Sequence, residues 1–223
     1  MKIIGQSKTF SKDEKFLLAF HSTTEKLGIG LIELNNEKPI FNSSIFDVGR
    51  GLSKELFNCI ETILPINYWY QIERLAVATG PGSFTSTRVT IVLARTIAQQ
   101  LNCSIDGISS FELMAYRLAL ETHIKEDTKK SFWITQPLKR RGTVAGKYEV
   151  IKSDENINNI KIKELKSPYL LSKEMEVTPA INASENVQID IKTLLRISLD
   201  SYKNNIKSNW EEILPIYPTS PVE

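Results

Sequence analysis

The chain has 223 residues, enough for one large domain or for two small lobes with a buried core. Its 28 lysines and arginines nearly balance 26 acidic residues, and the formal charge of +2 predicts no strong overall field for nucleic acid or a membrane surface. No segment approaches the ~20 apolar residues of a membrane span, and residues 1–15 lack the apolar run of a signal peptide. These features favour a cytoplasmic protein, in which Cys59 and Cys103 are expected to be free thiols rather than a disulfide.

Three short apolar segments separated by polar turns begin the patterned part of the chain. They cover residues 16–20, 27–34 and 39–48. Short strands joined by tight polar turns are typical of an antiparallel meander. The sequence therefore predicts that the first three strands are antiparallel.

A helical pattern follows from Leu52 to Leu64, and Pro65 ends it because proline cannot continue a helix. Its apolar residues lie on one stripe, which Phe57 and Leu64 widen. The stripe consists of Leu52, Leu56, Ile60 and Ile63. The stripe is expected to face the core of the protein itself. The extra apolar width predicts that a second side of the helix is also buried, against another element or protein.

A compact apolar run at residues 75–79 predicts a buried strand. It leads into a glycine turn, Gly80-Pro81-Gly82-Ser83-Phe84-Thr85, and then into a second helix from Thr85 to Leu101. Asn102 is expected to end that helix in a left-handed conformation.

A strand at residues 104–108 and a helix from Ser110 to Leu120 come next, and Ser109 with Glu112 forms a capping-box pattern at the start of this helix. Because helices separate the later strands, those strands must be parallel. The periodicity alone gives a mixed α/β sheet. By analogy, the same order of elements occurs in the ribonuclease-H-like half of the actin and Hsp70 ATPase superfamily.

The second half of the chain is less regular. Residues 121–130 are polar and charged, which suits a link between two lobes. Two strand-like runs occupy residues 131–152, residues 156–179 are weakly patterned, and an amphipathic helix is expected from Asp190 to Tyr202, with Asp190 as its N-cap.

The chain is therefore expected to have three parts. Residues 1–15 form a flexible extension, residues 16–120 a ribonuclease-H-like N-terminal lobe, and residues 121–223 a smaller second α/β lobe with a Pro-rich tail.

The glycine turn has two physical interpretations. Its glycines allow a sharp crossover from strand to helix, which the proline stiffens. Alternatively, the N–H groups at the start of the helix could hold a phosphate, with Gly80, Gly82, Ser83 and Thr85 as the candidate contacts. The turn lacks the lysine of a Walker loop and is not a dinucleotide fingerprint, so the structural interpretation is favoured.

Residues 78–89, Ala-Thr-Gly-Pro-Gly-Ser-Phe-Thr-Ser-Thr-Arg-Val, resemble the most recognisable stretch of the TsaB (YeaZ) proteins, whose usual form is Gly-Pro-Gly-Ser-Phe-Thr-Gly-Leu-Arg. Residues 107–112 are similar to the continuation of that family. Weaker similarities lie at residues 20–23, 139–142 and 214–217. The resemblance covers most of the first half of the chain.

The resemblance implies a degenerate member of the actin-like ATPase superfamily that acts as a non-catalytic scaffold. Such proteins pair with a TsaD subunit, which carries the metal and the active site, and work with TsaE and TsaC to install threonylcarbamoyl on adenosine 37 of tRNA. It implies no metal or cofactor in this chain, apart from weak ATP or ADP binding at a subunit interface, and contact with tRNA only through the complex.

The resemblance also implies an interface formed by two helices of the N-terminal lobe, which pack on the matching pair of the TsaD-like subunit. The corresponding residues are Leu52, Leu56, Ile60 and Ile63 of the first helix, and Arg88, Val89, Val92, Arg95 and Thr96 of the second.

The chain departs from the family pattern in three places. The first loop of the family usually begins with aspartate, and here His21 occupies that position. Histidine does not supply the anionic oxygen that Mg²⁺ prefers, which argues against ATP hydrolysis. Ser86, Thr90 and Thr96 stand where the family's second helix has glycines, and residues 137–142 lack an acidic residue found in the family.

The same residues are compatible with other functions. The main alternative is a nucleotide-binding ATPase or kinase-like protein that uses the glycine turn, and another is a homodimerising module. A zinc protease is disfavoured because His21 and His123 are the only histidines and lie far apart in the sequence. The basic cluster Lys139-Arg140-Arg141 could touch tRNA phosphate, although a solvated hairpin tip is favoured.

Overall fold

A computed structural model of the protein describes residues 9–121, 131–139, 141–151, 160–172 and 174–219. The predictions for most of the N-terminal extension, for the link between the lobes, for His123 and for Arg140 lie outside these residues. Within these ranges, every helix falls short of the length and apolarity that crossing a bilayer requires.

A mixed five-stranded sheet, the first sheet, lies at the centre of the protein. Its strands are β1 (Phe16–His21), β2 (Lys26–Glu33), β3 (Phe41–Asp47), β4 (Ile72–Ala78) and β5 (Ser104–Ile108), in the order β3-β2-β1-β4-β5. The first three strands are antiparallel, whereas β4 runs parallel to β1 and β5 runs parallel to β4. This order and these directions confirm the predicted ribonuclease-H-like fold class.

Two helices, α1 (Leu52–Ile63) and α2 (Phe84–Leu101), cover one face of the first sheet. The helix α1 ends just before Pro65, as predicted. The helix α2 ends at Asn102, whose φ of 51° places it in the left-handed conformation that the sequence predicts. Phe16, Leu18 and Phe20 of β1 point toward these helices and are fully buried.

The opposite face of the first sheet contacts α3 (Ser110–Glu121) and α4 (Val187–Lys203). Gly30 of β2 has no side chain, which lets α4 approach the first sheet closely. A Cβ atom on Gly30 would lie 2.6 Å from Cδ1 of Leu195, so a larger residue would have to displace that side chain or the helix. The helix α4 therefore packs on the first sheet, although the strands that lie between α3 and α4 in the sequence belong to a second sheet.

The predicted role of Asp190 as N-cap of the last long helix is wrong. The helix begins three residues earlier, at Val187, and the side chain of Asn186 accepts the backbone N–H of Ile189 at 3.2 Å. Asp190 is instead fully buried in the first turn, where Nε of Arg117 donates to its carboxylate at 3.4 Å. From the sequence alone, an aspartate near the start of an amphipathic pattern cannot be told apart from an N-cap, even when it is buried inside the first turn.

A second, four-stranded sheet packs on the other side of α3. Its strands are β6 (Ser131–Leu138), β7 (Gly142–Ile151), β8 (Lys161–Leu170) and β9 (Ala180–Asn182), in the order β8-β7-β6-β9. The strands β6 and β7 confirm the two predicted runs. The strands β8 and β9 were not predicted, because β8 is an edge strand in which only Ile162 and Pro168 are buried, so it has no apolar period.

Candidate functional site

The glycine turn is packed tightly against the loop that joins β1 to β2. Gly80 has a φ of +97°, which favours glycine. A Cβ atom on Gly82 would lie 2.2 Å from the carbonyl oxygen of Thr23. The backbone N–H of Ser83 donates to that same oxygen at 2.6 Å, so it is not available to an anion.

Two further segments hold the turn from other sides. The backbone N–H of Ser110 donates to the carbonyl of Gly80 at 2.7 Å, and its hydroxyl donates to the carbonyl of Pro81 at 2.6 Å. The backbone N–H of Ile216 donates to the carbonyl of Thr79 at 2.8 Å. The turn thus joins β4, α2, α3 and the C-terminal segment. Nucleotide contact by its residues, including the exposed Thr85, stays a prediction.

A cleft of about 560 Å³ lies between the glycine turn and the second sheet. Its polar lining comes from both sides and includes Thr23, Ser83, Gln136, Lys139, Arg141 and Glu185. The cleft has the size of an ordinary small-molecule site. Lys139 and Arg141, two residues of the predicted basic cluster, therefore face the cleft.

Two aromatic residues that line this cleft, Phe84 and Tyr217, contact the side chain of Arg88. The guanidinium of Arg88 lies 3.7 Å from the ring centroid of Phe84 and 4.8 Å from that of Tyr217. Its Nε also donates to the hydroxyl of Tyr217. These contacts fix the C-terminal segment against the first turns of α2. These contacts are not evident from the sequence, because 129 residues separate Arg88 from Tyr217.

His21 lies at the end of β1, at the position where the sequence resemblance leads one to expect an aspartate. Its side chain is completely buried, and both ring nitrogens lack a hydrogen-bond partner among the described residues. Desolvation lowers the pKa of this imidazole to about 4, so it is neutral at physiological pH. Among the residues that the structure describes, no group of three or more His, Cys, Asp or Glu side chains could hold a metal ion.

The predicted interface residues of α1 require a correction. Leu52, Leu56 and Ile60 are at most 3% exposed and pack in the core between α1 and the first sheet, so they present no surface to a partner. Ile63 is half-buried at the same core. An apolar stripe shows that a helix face is buried, but the protein's own sheet already buries this one.

The outward side of α1 carries a different apolar residue. Phe57 is 56% exposed, and its ring stacks on that of Trp69 with centroids 6.2 Å apart. The widening of the apolar stripe by Phe57 was the sequence signal for this residue. Leu64, which also widens the apolar stripe in the sequence, is fully buried.

The predicted interface residues of α2 are distributed over its outward side. Val92 is 61% exposed, and Arg88 and Thr96, one turn before and one turn after it, are also exposed. Val89 and Arg95 are half-buried, and the Arg95 guanidinium lies 5.4 Å from the ring centroid of Trp210.

Two hydroxyl residues that replace family glycines in α2 point inward rather than outward. Ser86 and Thr90 are buried, and the hydroxyls of Ser22 and Thr90 are hydrogen-bonded at 2.6 Å. The Ser22 hydroxyl also donates to the carbonyl of Ser86 at 3.1 Å. These hydrogen bonds attach α2 to the end of β1.

The strand order, the second sheet and the glycine turn define an α/β protein of the ribonuclease-H-like class. Within that class, the resemblance to the TsaB (YeaZ) proteins predicted from the sequence is confirmed by three comparisons with known proteins. A family model described as TsaD, tRNA N6-adenosine threonylcarbamoyltransferase, matches residues 49–128, the region that contains α1, α2 and α3.

The second comparison is with curated proteins. The chain is 41% identical over 44 residues to the tRNA threonylcarbamoyladenosine biosynthesis protein TsaB of Bacillus subtilis. The matched segment makes up 20% of this chain and 19% of the length of that relative.

The third comparison is with solved structures. An uncharacterised protein from Pseudomonas aeruginosa with similarity to peptidase YEAZ has a TM-score of 0.68 and 18% identity, over 92% of this chain and all of that one. YeaZ from the same organism has a TM-score of 0.62 and 14% identity, over 91% and 99% of the two chains. Both likenesses cover the two sheets together, which shows that the whole fold is shared.

Proposed function

We propose that this chain is a non-catalytic supporting subunit of the complex that attaches threonylcarbamoyl to adenosine 37 of tRNA. It pairs through the outward sides of α1 and α2 with a TsaD-like catalytic subunit. The observation that carries the proposal is the exposure of Phe57 and Val92 on these two helices. Both residues lie within the segment that matches the family model.

The exposed residues form a surface suited to pairing with another helix. Phe57 and Val92 are large apolar side chains that are 56% and 61% exposed on helices whose other sides are already buried. A helix that is apolar on a second side is normally buried there by a partner. Arg88 and Thr96 supply polar contacts on either side of Val92, as expected at the rim of an interface.

The environment of His21 supports a role without ATP hydrolysis. A neutral, fully buried imidazole cannot replace a carboxylate as a ligand for Mg²⁺. In addition, the backbone N–H of Ser83 donates to the carbonyl of Thr23, so it is not available to bind a phosphate. The chemistry is therefore assigned to the partner, and a TsaE-like ATPase and tRNA join the same complex.

The test is co-purification with the TsaD-like subunit, followed by size-exclusion chromatography. Val92→Glu is expected to weaken the complex at least 10-fold, because it places a charge at the centre of an apolar contact. Ile189→Glu is the matched control, since Ile189 is 41% exposed on α4, on the opposite face of the first sheet. Leu56 is unsuitable for this test because it belongs to the core.

Two results would overturn the proposal. One is that the wild-type protein forms no complex and silencing its gene leaves the level of the tRNA modification unchanged. The other is that Val92→Glu and Ile189→Glu behave alike in the binding measurement.

The alternative partner is a second copy of this chain, bound through the same helices. A molecular-mass measurement of the isolated chain distinguishes such a homodimer from a monomer.

The cleft favours one second candidate, a nucleotide site. Lys139 and Arg141 face Ser83 across it, and cations near a helix start are suited to phosphate. This candidate predicts micromolar binding of ATP by calorimetry, lost in a Lys139→Ala, Arg141→Ala double variant. No heat of binding from the wild-type protein would reject it.

A further inference from the structure

The outer face of the second sheet, which points away from α3, carries a row of lysines. Lys147 lies on β7, and Lys161, Lys163 and Lys166 lie on β8. The three residues on β8 are exposed, and Lys147 is half-buried. We call these four residues the lysine row.

Strand irregularities bring the lysine row onto one face. Lys163 and Lys166 are three residues apart, so a regular strand would point them to opposite faces. The pairing shifts at this point: Glu164 lies opposite Tyr148, whereas Lys166 lies opposite Lys147, so Leu165 is an extra residue in β8. This bulge places Lys166 on the same face as Lys163.

The arrangement brings like charges together. Lys147 and Lys166 are direct cross-strand partners, a pairing that destabilises a sheet. Among the described residues, no carboxylate oxygen lies within 4.0 Å of any of the four ammonium groups. Among the described residues of β7 and β8, one acid faces this row, Glu149, which lies opposite Lys163. Within these two strands, four lysines and one glutamate leave three positive charges on this face.

Aromatic rings beneath the lysines orient them. The Nζ atom of Lys147 lies 5.7 Å from the ring centroid of Trp133, and that of Lys166 lies 4.2 Å from the ring centroid of Tyr169. Such contacts hold lysine stems along an apolar surface and leave the ammonium groups in solvent. Trp133 is only 9% exposed, so its ring is not free to stack on a base. The face is suited to contacts with charge rather than with bases.

From this geometry we infer that the lysine row binds the sugar–phosphate backbone of folded RNA. The occupant is the tRNA on which the proposed complex acts, so this identification of the RNA rests on the proposed function. Lysines two residues apart on a strand lie about 7 Å from one another, which gives a linear row of cations. A linear row of cations matches the line of phosphates along one nucleic-acid strand. Contacts of this kind recognise the shape and charge of the RNA and not its base sequence. The chain thus contacts tRNA directly, through a surface on the second sheet.

The experiment measures binding of a tRNA transcript to the full chain by fluorescence anisotropy between 50 and 200 mM salt. The variant is Lys161→Gln, Lys163→Gln, Lys166→Gln. The matched control removes three exposed lysines at α4 and just beyond it, by Lys192→Gln, Lys203→Gln, Lys207→Gln. Both variants lose the same charge. The first is expected to bind about 10-fold more weakly or worse, with a salt slope smaller by about 3, whereas the control stays within about 2-fold of wild type.

Three arms separate this inference from its alternatives. Replacing the three lysines of β8 by arginine keeps the charge and is expected to keep the binding. Equal loss in the two glutamine variants would overturn the inference, and so would lysine-dependent binding to phosphatidylserine vesicles without lysine-dependent binding to tRNA. If the chain fails to pair with a TsaD-like subunit but still binds tRNA through these lysines, the pairing proposal falls and this inference stands.

Discussion

The α-carbon of Gly82 lies so close to the carbonyl of Thr23 that a Cβ atom there would be 2.2 Å from the oxygen. This contact joins the start of α2 to the loop after β1. It explains why the second glycine of the turn is needed even though its own φ is not in the left-handed region. The glycine is required by close approach of two backbones, and the hydrogen bond from Ser83 to Thr23 depends on the same approach.

Gly82→Ala is therefore expected to lower the free energy of unfolding by about 2 kcal/mol or more, because a backbone atom cannot move aside as a side chain can. Gly51→Ala is the matched control, since a Cβ atom on Gly51 would meet nothing within 4 Å. It should leave stability within about 0.5 kcal/mol of wild type. Urea denaturation monitored by circular dichroism measures both. Equal losses in the two variants would contradict the role given to Thr23.

Much of the fold could be predicted because its signals are local. The glycine turn, the left-handed Asn102 and the change from strand to helix periodicity each act within a few residues. The edge strand β8 could not be predicted in this way. Its outward residues are mostly polar and its bulge breaks the alternation, so no period of two survives in the sequence.

The candidate site was less predictable for a physical reason. Periodicity shows that Leu56 and Ile60 are buried, but not whether the protein's own sheet or a partner buries them. The contact of Arg88 with Tyr217 joins residues that lie 129 positions apart in the sequence. Exposure of Val92 and the long-range contacts are properties of the packed structure, and a local pattern does not contain them.

A buried ion pair joins two neighbouring strands of the first sheet. Arg74 of β4 donates to both carboxylate oxygens of Asp106 on β5, at 2.6 and 2.7 Å, and both residues are less than 10% exposed. Asp106→Leu is expected to cost about 3 kcal/mol or more, because it leaves the Arg74 charge buried without its partner. The double variant Arg74→Leu, Asp106→Leu should lose less than the sum of the two single variants.

The control for this pair is the exposed ion pair between Lys15 and Glu73, whose side chains are 50% and 43% exposed. Lys15→Gln should change the free energy of unfolding by less than about 1 kcal/mol, since solvent screens the charges. Chemical denaturation of Asp106→Leu, Arg74→Leu and their double variant gives the coupling energy of the buried pair, and Lys15→Gln gives the cost of breaking the exposed pair. A loss on Asp106→Leu as small as that on Lys15→Gln would show that the buried pair does not hold the strands together.

Glu112 gives the protein a stability that decreases with rising pH. It is half-buried near the carboxylate of Glu164, its backbone N–H donates to the Ser109 hydroxyl as the capping box predicts, and burial followed by Glu164 raises its pKa to about 7. Between pH 4.5 and 7 the folded state binds more protons than the unfolded state, so the free energy of unfolding falls as the pH rises. With allowance for solvent, the fall is on the order of 2 kcal/mol. Glu112→Gln should remove it in urea titrations across this range, and an unchanged slope would contradict the assignment.

His21 acts in the opposite direction, because burial lowers its pKa from 6.5 to about 4. Between these values the unfolded state binds the proton and the folded state does not, so acid destabilises the protein, by up to about 3 kcal/mol at pH 4. In wild type this slope opposes that of Glu112 between pH 4.5 and 6.5. His21→Leu should therefore expose the slope of Glu112 alone, with stability rising steadily as the pH falls from 7 to 4.5. If His21→Leu and wild type show the same dependence of stability on pH, the imidazole is not the group that titrates.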